Sequence, residues 1–397
     1  MSTAHLVYLH PQQQWGFHNP VKVTVGRGCR AGLVDQLAEQ TLLVVTSNRG
    51  RRQLTDDALL GDLVQQNQVL WVDSVRENPG LTDIQREINR LNGQAFDAVI
   101  AFGGGSAMDA AKALNVALAP ECRQYSLQRL LAEPALHADA QPKPLYTVTT
   151  TSGTGSEATP FATVWHHEIK KKLSLAGAAV WPTAAFVDAA LTDSVPLAVT
   201  ISTGLDAINQ AAESLWNRNA NPITIGYAIR ALQLGFSALP ALASGEGSEQ
   251  ARDQMAEASL LAGLAISHTR TALCHSISYP ITAHFGVAHG LACAFTMPAV
   301  LRHNLQAEDG RFAQAAIALT GSTGLDGLAA CFDHLHETMQ VCKRVTAQIP
   351  SLDALLALEG EMFTPGRADN NLADVTTLDH ILQAAWGQCA LQTSGRR

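Results

Sequence analysis

A chain of 397 residues is longer than one ordinary hydrophobic core organises, so two domains are expected. Its composition, 47% hydrophobic and 16% charged, is that of a globular protein slightly lean in charge. The formal net charge of -8 argues against a nucleic-acid surface, which needs clustered Lys and Arg. Lys170, Lys171 and Lys172 form the one basic run that stands out. No stretch reaches the ~18 uninterrupted apolar residues of a membrane span, and Met1 to His5 lack the charged start of a signal peptide, so a cytoplasmic location is expected. Cys29, Cys122, Cys274, Cys293, Cys331, Cys342 and Cys389 are scattered without C-x-x-C spacing. Reduced thiols are expected, with neither a disulfide framework nor a zinc–thiolate site.

From about Val21 to Val187 short apolar runs alternate with longer helical patterns, the texture of strands and helices around a mainly parallel sheet. Residues 42–46, 69–72 and 98–102 read as buried strands, followed by 145–149 and 184–188. After Pro196 apolar residues recur at three- and four-residue spacing, as at Met255, Leu260 and Leu264, so the second half reads as all-helical. The expected boundaries are 1–195 for an α/β dinucleotide-binding domain and 196–397 for an all-α domain. The cleft between two such domains is the default ligand site.

The strand at 98–102 runs into Gly103, Gly104, Gly105 and Ser106 and then into a helical stretch. Such a turn lets the backbone approach an anion, and the free amides and dipole of the helix N-terminus favour negative charge. It is not the G-x-G-x-x-G fingerprint, which argues against the commonest dinucleotide fold. A second loop, from Thr149 to Glu157, follows the strand at 145–149 and is dense in hydroxyls. It reads as a wrap for a cofactor's ribose, phosphates or nicotinamide amide, or as a hydroxyl-rich helix cap. In the helical half, Asp206 and Gln210 are four apart, hence on one helix face. With His275 and His289 they offer a carboxylate, an amide oxygen and two imidazoles, a donor set suited to iron or zinc. A cofactor half and a metal half together point to redox chemistry.

These residues resemble a known pattern. Gly103 to Ser106 with Asp109 and Lys112, Thr150 to Glu157, Gly204 with Asp206, and the fourteen-residue separation of His275 and His289 are similar to the iron-containing, group III alcohol dehydrogenases over about residues 15 to 305. The resemblance implies a dehydroquinate synthase-like architecture, with an N-terminal dinucleotide domain, an all-helical C-terminal domain and a metal beside the nicotinamide. It makes Gly103, Gly104, Gly105 and Ser106 pyrophosphate contacts, with Asp109 shaping the same loop. Thr150, Thr151, Ser152 and Thr154 would line the cofactor, and Lys172 would contact it. Asp206, His275 and His289 fall on three metal-ligand positions of the family, while the fourth, usually His, is Gln210 here. An amide oxygen is a weaker donor than imidazole. Fe2+ is the expected ion and Zn2+ the alternative, with metal-free maleylacetate-type reduction as the rival reading.

Residues 159–165, 172–177, 213–216, 219–222 and 258–271 resemble the branch that reduces phosphonoacetaldehyde to 2-hydroxyethylphosphonate. Arg270, five residues before His275, would pair bidentately with a phosphonate or carboxylate, assisted by His268 and His284. Tyr279 stands where the family often has a histidine near the proton relay, and reads as a hydrogen-bond donor or an aromatic wall. Ser47 stands directly after the strand at 42–46, where NAD-preferring members tend to put an Asp, and Arg49, Arg51 and Arg52 lie close by. NADPH is therefore the expected reductant and NADH the alternative. The expected activity is reduction of a small anionic aldehyde, with a general iron-dependent alcohol dehydrogenase as a further alternative. A homodimer is implied by analogy, with no nucleic-acid or membrane partner.

Overall fold

The structure, a computed structural model, describes residues 14–245 and 247–394, with side chains to residue 392. Met1 to His5, on which the expectation of no signal peptide rested, lie outside the described residues. The chain divides into two compact units, Asn19–Val195 and Pro196–Arg397 together with the stretch up to His18. Residues 14–18, which the sequence pattern put with the sheet, therefore group with the helices. Asn221 donates from its side chain to the Gly16 carbonyl, and Phe17 meets Tyr227 edge-on.

The first unit holds β1 (Lys22–Val25), β2 (Thr41–Val45), α1 (Asn48–Thr55), α2 (Gly61–Gln65), β3 (Gln68–Val72), α3 (Leu81–Leu91), β4 (Ala98–Gly103), α4 (Gly105–Ala117), α5 (Leu127–Ala132), β5 (Leu145–Thr149), β6 (Phe161–His166), β7 (Lys171–Ala176) and β8 (Ala184–Val187). Six strands form a sheet in the order β1-β8-β5-β4-β2-β3, every neighbouring pair parallel. The continuous apolar runs of β2 and β4 follow from burial on both faces. Leu43, Val45, Val99 and Ala101 join one core cluster with α3 and α4, whereas Leu42, Val44, Ile100 and Phe102 join another. That alternation is the two-residue period of a strand feeding a core on each side of the sheet. The order reverses direction between β2 and β4, so ligands are expected at the carboxyl ends of those two strands. β6 and β7 form a separate antiparallel ribbon that the sequence reading did not separate out.

The second unit is helical: α6 (Leu197–Leu215), α7 (Pro222–Ser244), α8 (Glu249–Thr269), α9 (Leu273–Phe285), α10 (His289–Leu305), α11 (Arg311–Thr320), α12 (Leu325–Thr338), α13 (Val341–Thr346), α14 (Leu352–Leu356) and α15 (Asp379–Ser394). Asn221 caps α7, accepting from the Ile223 and Thr224 amides while Thr224 Oγ1 accepts from the Asn221 amide, and Pro222 occupies the first helical position. α7 is long and apolar enough to cross a bilayer, but half of its most apolar window is buried within the unit. α6 and α7 cross closely because Gly204 faces Leu239 and Gly235 faces Ile208, where a Cβ would meet side-chain carbons at 2.6 Å in each case.

One expectation is corrected here. Cys342 and Cys389 form a disulfide tying α13 to α15, both sulfurs buried in the helical core. Their separation of 47 residues gives no spacing signal, since the pairing depends on how two helices pack rather than on a local motif.

Candidate cofactor and metal sites

In the sheet unit, β4 ends at Gly103 with φ 153°, a backbone state that favours glycine. A Cβ on Gly104 would lie 2.7 Å from Thr151 Oγ1, and one on Gly105 would lie 2.6 Å from Thr154 Oγ1. The hydroxyl-rich loop after β5 thus rests directly on the glycine turn, and Thr150 donates its amide to the Gly103 carbonyl at 3.0 Å. The first intrahelical bonds of α4 come from Ala107 and Met108 to the Gly104 carbonyl, leaving the Gly105 and Ser106 amides outside the helix ladder. No acidic side chain occupies that first turn. The turn offers what an anion needs at a helix N-terminus.

Asp109 holds this loop in shape: Oδ1 accepts from Ser156 Oγ at 2.7 Å and Oδ2 from the Thr163 amide at 2.9 Å. One turn on, Lys112 is 1% exposed and donates to the carbonyls of Ser156, Thr159 and Phe161 at 2.6 to 2.8 Å. Burial pushes the Lys112 ammonium down to about 8, opposed by Asp109 and Glu157, and burial pushes both carboxyls up. Three carbonyls around one nitrogen are the partners an ammonium wants, so the network is a built anchor for residues 156–161. Lys172 pairs with Trp165 across the ribbon, and its charge reaches Asp109. Ser152 lies in the same loop, partly exposed.

Ser47 is the N-cap of α1, its Oγ accepting from the Gly50 amide at 3.1 Å. Thr46 Oγ1 donates to the Phe102 carbonyl at 2.6 Å, tying the carboxyl ends of β2 and β4 side by side. Ser47 and the glycine turn are therefore at the point where the strand order reverses. Of the nearby arginines, Arg49 donates to the Ser194 carbonyl at 3.4 Å, and Arg51 pairs with Asp73 at 2.7 Å and stacks on Trp71.

In the helical unit, Asp206, Gln210 and Glu213 fall on one face of α6 and all are buried. His275 is the third residue of α9, and His289 is the first of α10. A Cβ on Gly290 would run into the Ser202 carbonyl and lie 3.1 Å from Asp206 Cβ, so glycine is what lets α10 start against the α6 backbone. That approach seats His289 next to Asp206. Asp206 Oδ1 lies 3.3 Å from His275 Nε2 and 3.9 Å from His289 Nε2. Two ligands held tetrahedrally ~2.1 Å from an ion are about 3.4 Å apart, close to these separations.

The imidazoles are oriented for that task. Glu213 accepts from His275 Nδ1 at 2.6 Å, leaving Nε2 turned to Asp206. Glu213 also accepts the backbone amides of His275 and Ala272, at 3.0 and 2.8 Å, capping a helix whose own N-cap residue supplies no side chain for it. Ser278 Oγ stands 3.4 Å from His289 Nδ1. Burial opposes a proton on His275, but Cys293, Glu213 and Asp206 outweigh it and hold its pKa well above the ordinary histidine range. Gln210 Oε1 is buried without a hydrogen-bond partner among the described residues. An orphaned buried acceptor costs about 1–3 kcal/mol unless it meets a cation or donor. The donor set therefore fits a divalent ion. The His289 side chain is 24% exposed against 4–5% for His275 and Asp206, so the open side of the cluster is at His289. Sequence reasoning missed two members: Glu213, seven residues after Asp206 on the same helical face, and Cys293, four after His289.

Arg270 sits in the bend between α8 and α9 rather than on the helix of His275, with φ 61°. Its guanidinium is pulled below its ordinary pKa by burial and by the neighbouring Arg367. His268, in the last turn of α8, packs against Phe17, and burial holds it below its ordinary pKa. His284 pairs with Glu361 at 3.1 Å. Tyr279 stacks on the His289 ring, centroids 6.1 Å apart and planes 19° apart, as an aromatic wall would.

With this geometry in view, the sequence matches the family descriptions "Iron-containing alcohol dehydrogenase" over residues 20–189 and "Fe-containing alcohol dehydrogenase family, C-terminal" over residues 200–348. The chain belongs to the iron-containing alcohol dehydrogenase family. It is similar to the probable alcohol dehydrogenase EutG of Escherichia coli, 38% identical over 63% of this chain and 62% of that protein. It is also similar to the phosphonoacetaldehyde reductase of Streptomyces viridochromogenes, 37% identical over 58% of this chain and 59% of that protein. These matches thus span about three fifths of the relatives' length. Among solved structures, the sulfoacetaldehyde reductase of Bifidobacterium kashiwanohense in complex with NAD+ superimposes with a TM-score of 0.82 at 26% identity, covering 95% of this chain and 99% of that one.

Proposed function

We propose that this protein reduces a small anionic aldehyde, phosphonoacetaldehyde first, to the corresponding alcohol, using NADPH and a divalent metal ion, Fe2+ ahead of Zn2+. The observation that carries this reading is the convergence of Asp206 Oδ1 with the two imidazole Nε2 atoms at 3.3 and 3.9 Å, beside the buried Gln210. Asp206, Gln210, His275 and His289 would hold the ion, which supplies Lewis-acid polarisation of the carbonyl while the nicotinamide supplies the hydride. Glu213 would hold the His275 proton on Nδ1, so that Nε2, its own proton displaced by the ion, would be the ligand atom. Gly103, Gly104, Gly105 and Ser106 would receive the pyrophosphate, with Asp109 and Lys112 fixing the loop that carries Thr150, Thr151, Ser152 and Thr154. Ser47 leaves room for a 2′-phosphate where an acidic residue would repel it. Lys172 would reach the cofactor from β7.

Arg270 would grip the phosphonate, and its proximity to Arg367 supports an anion there, since two neighbouring guanidiniums favour negative charge between them. Tyr279 would wall the reacting aldehyde beside His289. The 37% identity to a phosphonoacetaldehyde reductase and the structural likeness to a sulfoacetaldehyde reductase both support an anionic aldehyde. The test is a kinetic comparison of phosphonoacetaldehyde, sulfoacetaldehyde, maleylacetate and a neutral aldehyde of similar length, each with NADPH and NADH. The reading requires kcat/KM to be highest for phosphonoacetaldehyde with NADPH; a neutral aldehyde equal to it would remove the anion claim.

A further inference from the structure

The metal cluster contains a donor that the ligand set above leaves unused. Cys293 is fully buried on α10, one turn after His289, and its Sγ lies 3.8 Å from His289 Nε2. Ligand atoms of Asp206, His275, His289 and Cys293 all fall within 4.8 Å of one another. A sulfur ~2.3 Å and a nitrogen ~2.0 Å from a shared tetrahedral ion are about 3.5 Å apart, so the observed separation needs an adjustment of only a few tenths of an ångström. Gln210 offers the cluster a neutral amide oxygen, the weakest donor type present, and leaves a place for a stronger one.

We propose that Cys293 is a thiolate ligand of the ion, completing with Asp206, His275 and His289 a mixed carboxylate–imidazole–thiolate site. On binding, the Sγ–H bond breaks, the proton leaves to solvent and a sulfur–metal bond forms, with no change of oxidation state. Thiolate coordination moves the site's preference toward softer ions, zinc above manganese or magnesium. Gln210 then serves as a fifth, displaceable contact or as a hydrogen-bond acceptor for what binds at the open His289 side. The inference rests on the reading that Asp206, His275 and His289 hold a divalent ion.

The experiment uses full-length protein stripped by chelation and loaded with one equivalent of Co2+, read by absorption spectroscopy. The visible ligand-field bands report that cobalt is bound, and a near-ultraviolet sulfur-to-cobalt charge-transfer band reports a thiolate. The proposal requires that band in the wild type and in Gln210→Ala, and its loss in Cys293→Ser with the visible bands retained. A cobalt-loaded wild type without the near-ultraviolet band, or a Cys293→Ser spectrum unchanged there, overturns it while leaving the metal site standing. Failure of the wild type to bind cobalt at all removes the metal reading and this inference with it. Should Cys293→Ser not fold, X-ray absorption of zinc-loaded wild type decides: a sulfur neighbour at ~2.3 Å supports the proposal and a shell of oxygen and nitrogen alone refutes it.

Discussion

Replacing Glu213 with glutamine separates the two tasks of that side chain from its bulk. The carboxylate is fully buried and accepts three hydrogen bonds, from the Ala272 and His275 amides and from His275 Nδ1. Glutamine keeps the shape, so no cavity opens, but it has one acceptor oxygen. If that oxygen faces the His275 amide, its NH2 group meets the Ala272 amide and the imidazole N–H, and the opposite rotamer orphans the His275 amide instead. One or two buried donors lose their partner, at about 1–3 kcal/mol each, and the lost charge at the N-terminus of α9 adds about 0.3–1 kcal/mol. A destabilisation of about 2–4 kcal/mol is expected, a large share of an ordinary stability of about 5–15 kcal/mol. The same change frees the His275 tautomer and should weaken metal binding by roughly 10–100-fold. Both are measurable on one preparation: urea unfolding of the metal-free protein by fluorescence, with buried Trp216 directly after α6 as a nearby reporter, and calorimetric titration with Zn2+. An unfolding midpoint and a zinc affinity both equal to wild type would refute the role given to Glu213.

Other perturbations test other parts of the account. Gly290→Ala places a methyl group against the Ser202 carbonyl, pushes α10 from α6 at a cost of about 1–3 kcal/mol and should empty the metal site; wild-type metal content by elemental analysis would contradict that packing argument. Lys112 binds its proton more weakly folded than unfolded, so its penalty is full below about pH 8 and disappears as pH rises toward 10.5. The folded protein should therefore gain up to about 3 kcal/mol from this residue across that window, a rise in the stability-against-pH curve that Lys112→Met lacks. Cys342→Ser should cost about 2–4 kcal/mol, seen as a lower unfolding temperature that dithiothreitol reproduces in the wild type and does not deepen in the variant. Arg270→Ala should raise KM for phosphonoacetaldehyde by roughly 10–100-fold, the worth of a charged hydrogen bond, while leaving a neutral aldehyde within twofold.

Much of the architecture was legible because its signals are local. The apolar runs of β2 and β4 read as strands since a parallel sheet covered on both faces leaves no polar alternation. The texture change at Pro196 marks the start of α6, where periodicity shifts from strand to helix. Asp206 and Gln210 could be paired from spacing alone because helical geometry fixes which residues share a face. What was missed depends on tertiary approach. Cys293 enters the cluster only because Gly290 lets α10 abut α6, and Glu213 reaches α9 across a helix pair. The Cys342–Cys389 bond joins helices far apart in sequence, and an odd scatter of cysteines gives no hint of it. The ribbon of β6 and β7 was obscured by the lysine run, whose Lys171 and Lys172 open its second strand. The glycine signal also has a packing cause: Gly104 and Gly105 make room for Thr151 and Thr154.

Turnover measured against bound metal decides whether the Asp206, His275 and His289 cluster is catalytic. Protein stripped by chelation and titrated with Fe2+ under anaerobic conditions, assayed for NADPH-dependent reduction of phosphonoacetaldehyde, should start near zero activity and rise linearly to a break at one ion per chain. His275→Ala should remain flat throughout. Full turnover in the stripped protein, or in His275→Ala, would contradict the account and place the chemistry on the chain's own groups.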